Sequence, residues 1–177
     1  MSQDSLFESV QDHFRAIDLC LKSDCRIQAL ILIYTGIDIF SGLGRPSDKE
    51  SPSRQDYIHW CGKYLLGKEG IFCTATDLYA ARCSVAHHYA MESKLSSEGK
   101  ADELVYAYGD RKAEELQSVI DRAGLTTKVL HIETLASAFR EGVADFLLEV
   151  DQDPARREVV LSRAGRFFKS QPGGFWR

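Results

Sequence analysis

Apolar residues recur along this chain at helical spacing, separated by short polar breaks. Leu6, Phe7, Val10, Phe14, Ile17 and Leu21 fall within one arc of a helix, because side chains three and four residues apart share a helical face. The pattern predicts a first helix over residues 4–24. The next stretch, 26–43, is apolar nearly all round, with Leu30, Ile31, Ile33, Tyr34, Ile37 and Phe40 pointing in every direction. Such a helix has to be covered on several sides, so it is expected at the centre of the fold. Asp38 interrupts it, and a carboxylate in that setting needs a partner.

Gly42, Gly44, Pro46 and Pro52 mark a loop. Ser53 is expected to cap a third helix carrying the stripe Tyr57, Trp60, Cys61, Tyr64, Leu65, which Gly67 and Gly70 end. Thr74 and Asp77 have capping-box spacing, with Asp in the usual Glu position, and open a long fourth helix to about Leu95. After a polar break at 96–100 the period changes. Residues 104–108 and 128–132 read as two short strands. Asp110 is expected to cap the helix between them, and Gly124 to end it. Leu135, Phe139, Val143, Phe146 and Leu147 form the stripe of a further helix. Asp153-Pro154 supplies an N-cap and a proline at the first position of the last helix, whose apolar face is Val160, Ala164, Phe167 and Phe168. The fold expected is mainly α: one domain over 1–177, with four helices in 1–95 and a strand-helix-strand unit plus two helices in 96–177. The two strands are expected to pair, in an orientation the pattern leaves open.

Composition agrees with one folded domain. At 177 residues, 44% hydrophobic and 27% charged, the chain can bury a full core and does not resemble a disordered one. By this reading no apolar run spans a bilayer, and Met1-Ser2-Gln3-Asp4-Ser5 lacks the features of a signal peptide. A cytoplasmic protein without membrane contact is expected. The odd set Cys20, Cys25, Cys61, Cys73 and Cys83 argues for reduced thiols, and without a C-x-x-C pair a cysteine zinc site is not expected. No phosphate-binding glycine loop or H-E-x-x-H motif occurs, so no cofactor or metal is expected. Net charge is −4, yet Arg156, Arg157, Arg163, Arg166, Lys169 and Arg177 face Glu158 alone after Pro154. A basic end on an acidic body suits contact with RNA through Arg163, Arg166 and Lys169, or is simply the solvated face of a last helix.

The chemistry concentrates on the fourth helix. Leu78, Ala81, Arg82, Val85 and Tyr89 share one stripe, and an arginine there is costly to bury unless paired. Asp38 is its natural partner, and a buried Arg82–Asp38 pair that fixes helix register is the plainest reading. His87 follows five residues later, about 140° and ~7.5 Å further along an ideal helix. An arginine fork matches a phosphate and a histidine moves protons near neutrality. Together they suffice for attack of an RNA 2′-hydroxyl on its own phosphodiester. Cys83 and His87, four apart, share a face, but two ligands make no metal site.

Arg82-x4-His87 on a helix of a small bundle resembles the R-x(4–6)-H signature of the HEPN superfamily, and residues 78–87 resemble an uncharacterised bacterial branch of it. Ile37-Asp38 and the helix from Trp60 to Tyr64 match segments that precede the motif there. The resemblance covers about 4–95. It implies a metal-independent endoribonuclease or RNA-binding protein of toxin and defence systems, with RNA as ligand, a homodimer in which two motifs line one cleft, and an antitoxin-like protein as a further partner. It implies Arg82 and His87 as catalytic residues, with Asp38, Cys83, Ser84 and His88 auxiliary. Active members carry a polar residue, often Asn or Asp, where this chain has Cys83. Silent HEPN modules that bind a partner protein are the alternative.

Overall fold

A computed structural model describes residues 2–88 and 94–167, with the side chains of 86–88, 94, 97 and 167 outside the description. The elements in order are α1 (Gln3–Lys22), α2 (Arg26–Gly44), α3 (Arg54–Tyr64), α4 (Ala75–His88), α5 (Lys94–Ser97), β1 (Leu104–Ala107), α6 (Ala113–Arg122), β2 (Lys128–His131), α7 (Ile132–Gln152) and α8 (Pro154–Phe167). The protein is mainly α, with a small two-stranded sheet in its C-terminal half.

α2 is the hub. It packs against α1, α3, α4, α7 and α8, and Ala29, Ile33, Ile37 and Leu43 are wholly buried. One sequence expectation is corrected here. With Asp38 as the only charge past its first residue, α2 is long and apolar enough, by length and composition, to cross a bilayer, although more than half of it is buried inside the fold. The rings of Trp60, Phe139 and Phe146 surround Phe40 at centroid distances of 5.9–6.3 Å, within the range where aromatic pairs add to simple burial.

Several helix ends follow their capping chemistry, whereas α2, α6 and α7 start without a side-chain cap. Ser2 Oγ accepts from Ser5 N, and Asp153 Oδ1 accepts from Arg156 N ahead of Pro154. Gly124 takes a φ of 70° just past α6, a left-handed position where glycine is unstrained. Asp110 does not cap α6, contrary to expectation: the helix begins at Ala113, after Lys112. The turn holding Asp110 is tied elsewhere, since Gly109 N donates to Glu133 Oε1 and Gly109 O meets His131 Nε2 at 3.1 Å. The fourth helix runs to His88, and Tyr89 lies outside the described residues.

β1 and β2 pair in parallel, Leu104 opposite Lys128 through Ala107 opposite His131. Parallel strands need a crossover, and α6 is that crossover. β2 then runs straight into α7, so Ile132 is helical where a strand residue was expected.

Candidate functional site around Arg82

α4 is set in place at its start. Asp77 Oδ2 accepts from Thr74 N and Thr74 Oγ1 accepts from Asp77 N, the reciprocal pair the spacing predicts. The other Asp77 oxygen accepts from Asp102 N, tying the approach to β1 to the same carboxylate. Leu78, Ala81 and Val85 then face the core.

Arg82 meets Asp38 as the apolar context of each predicts: Nε donates to Oδ2 at 2.6 Å. The pair is less buried than expected, with side chains 25% and 34% exposed. Helical geometry explains this. At 100° per residue, Arg82 lies about 40° to one side of Leu78 while Ala81 lies about 60° to the other, so Arg82 occupies the margin of the apolar stripe. Burial opposes its charge, but the Asp38 carboxylate and then the Cys83 thiol together outweigh this and raise the guanidinium pKa above its ordinary value.

The surroundings divide the remaining expected residues. Cys83 is half-buried, its Sγ 4.0 Å from Arg82 Nη1. Ser84 points the other way: it is wholly buried and its Oγ donates to Ala80 O, a bond within the helix. His87 and His88 belong to the α4 backbone, and their side chains lie outside the description.

Three residues not anticipated at the site complete it. Arg54, from the start of α3, lies over the Tyr79 ring at 5.2 Å. Tyr79 packs edge-on against Tyr57 with centroids 5.4 Å apart. Burial and the Cys83 thiol raise the Tyr79 hydroxyl pKa, while Arg82 and Arg54 pull it down, so both guanidiniums act on one hydroxyl. Tyr79 sits three and four residues before Arg82 and Cys83, a helical spacing that could have flagged it. No sequence signal joins Arg54 to this face.

Beneath lies a buried polar layer. The Tyr57 hydroxyl is buried without a hydrogen-bond partner among the described residues, and burial followed by the nearby Cys61 and Asp38 pushes its pKa well up. Tyr34 and Tyr106 hydroxyls meet at 2.5 Å. All five cysteines are free. Burial raises the Cys61 thiol and pushes Cys73 up to about 12, which leaves both protonated and poor nucleophiles.

The basic end separates. Arg163 is buried, its Nη1 donating to Leu43 O and Arg45 O and its Nη2 to Pro46 O. Burial and the neighbouring Arg45 lower its pKa. Its fork satisfies carbonyls at the end of α2. Arg166 is exposed, and Lys169 lies outside the described residues. Compared with known proteins, the chain matches no family model, no curated sequence and no solved structure.

Proposed function

We propose that this protein is an HEPN-like, RNA-binding, metal-independent endoribonuclease that works as a homodimer, of the kind found in toxin and defence systems. One observation carries the reading. Asp38 holds the Arg82 guanidinium by Nε at the margin of the core, on the helix whose sequence includes His87 five residues later. A guanidinium carries five N–H donors in a rigid fork, and anchoring one edge orients the fork toward a phosphate with little entropy left to lose. Arg82 then stabilises charge on the phosphorane, and His87 takes the 2′-hydroxyl proton or returns one to the leaving oxygen. The products are a cyclic phosphate and a 5′-hydroxyl. The ~140° between Arg82 and His87 is resolved by a second copy, which brings another motif to the same cleft.

A second reading, a silent module that binds a partner protein, is favoured by Cys83. A weakly hydrogen-bonding thiol lies against Arg82 where active relatives of the proposed family place an amide or carboxylate.

The deciding experiment is cleavage of RNA and of matched DNA in EDTA by wild type, His87→Ala, His88→Ala and the double variant. The proposal expects RNA alone to be cut and His87→Ala to lose about 10²–10⁴-fold in rate. Cleavage that survives in the double variant assigns the activity elsewhere, and no cleavage of any RNA by wild type leaves the silent module.

A further inference from the structure

The cluster beside Arg82 contains a cation that the proposed chemistry does not use. Arg54 is exposed, lies over the Tyr79 ring at 5.2 Å, and has no carboxylate partner among the described residues. An arginine held over an aromatic face is oriented by that ring, yet its N–H donors lie in the guanidinium plane and stay available at the edge. The seat is itself firm: Tyr79 rests edge-on against Tyr57, which is 2% exposed. Tyr79 and Arg82 are one helical turn apart on α4. Arg54 is thus tied to the turn of α4 that carries Arg82, one guanidinium anchored by a ring and the other by a carboxylate.

We propose that Arg54, seated on Tyr79, is a second phosphate-gripping position that takes the backbone of single-stranded RNA next to the phosphate held at Arg82. This rests on the RNA reading above and extends it from one phosphate to a short strand. A planar fork with free in-plane donors matches phosphate oxygens bidentately, and neighbouring phosphates along a strand need neighbouring cations. Tyr79 is a positioning residue: it acts by holding the Arg54 fork, so its own hydroxyl is not required for the grip.

The test is fluorescence-anisotropy binding of a short oligouridine across about 50 to 200 mM salt, using wild type, Arg54→Gln, Arg54→Lys, Tyr79→Phe and Tyr79→Leu. For single strands the slope of log affinity against log salt changes by about 0.7 for each phosphate neutralised. Arg54→Gln is expected to weaken binding by roughly threefold to tenfold and flatten the slope by about 0.7, with the melting temperature unchanged because Arg54 is exposed. Arg54→Lys should restore the slope, since the charge returns, but only part of the affinity, since the fork does not. Tyr79→Phe should bind as wild type, and Tyr79→Leu should weaken binding. If wild type binds and Arg54→Gln binds equally with the same slope, the second position does not exist while the RNA reading stands. If wild type binds no RNA, both fall. Equal competition by a polyglutamate peptide of matched charge would overturn the assignment to phosphate.

Discussion

Removing the Asp38 carboxylate is the most informative perturbation of the fold and the site together. The pair is short, 2.6 Å, but its side chains are 25% and 34% exposed. Breaking a fully buried pair from one side costs about 3–5 kcal/mol, and an exposed pair contributes about 0–1 kcal/mol. A pair at the core margin belongs between these limits, so Asp38→Ala should destabilise by about 1–3 kcal/mol. For a domain of this size that is a fall in melting temperature of roughly 2–12 °C. Asp38→Asn keeps the volume and an acceptor oxygen, so it should recover part of the loss. The assay is thermal and urea unfolding followed by circular dichroism, run as a double-mutant cycle with Arg82→Ala. Because the two residues touch, their effects should not add: the double variant should be more stable than the sum of the single losses predicts. Strict additivity, or an Asp38→Ala protein that melts with wild type, would refute the argument that this pair locks α4 to α2.

Helix glycines offer a paired test. An added Cβ at Gly142 would stand 2.8 Å from the Tyr64 carbonyl oxygen, where backbone has to move, whereas at Gly62 it would meet nothing within 4 Å. Gly142→Ala should therefore lose about 1–3 kcal/mol to overpacking, and Gly62→Ala should gain about 0.5–1 kcal/mol from helix propensity; urea midpoints that move alike would reject the reasoning. His13 supplies a pH dependence. Burial lowers its pKa below 6.5, partly opposed by the bond between Nε2 and Leu32 O. The folded state thus binds its proton less readily than the unfolded one, and the stability it confers is full above about pH 6.5 and falls as pH drops below that. The slope of stability between about pH 7 and pH 5 should flatten in His13→Gln, and an unchanged slope assigns the effect to other groups. Assembly is read by light scattering: the proposed two-motif cleft expects a dimer, and a monomer at high micromolar concentration removes it.

Apolar periodicity placed most of the helices to within a few residues and marked α2 as central, because a helix apolar on all sides has no solvent face to offer; it ran the fourth helix to about Leu95 and did not separate α5 from it. Local chemistry did the same for the starts of α4 and α8, where Thr74, Asp77 and Asp153 bond within their own turn. The Asp38–Arg82 pair was legible too, since each is a charge stranded on an apolar face and the other is the nearest remedy. What lay beyond the sequence depends on residues distant along the chain. Asp110 had the composition of a cap, but contacts from Glu133 and His131 hold its turn in another conformation. The strands are parallel because α6 carries the chain back between them. Arg163 looked like part of a basic surface until the end of α2 presented carbonyls for it to satisfy. Arg54 reaches Tyr79 only because α3 and α4 pack side by side. One-dimensional pattern records which groups must be buried or bonded within a turn or two. Which distant group meets that demand is decided by tertiary packing, where one long arginine side chain can turn inward to a carbonyl or outward to a ligand at nearly equal local cost.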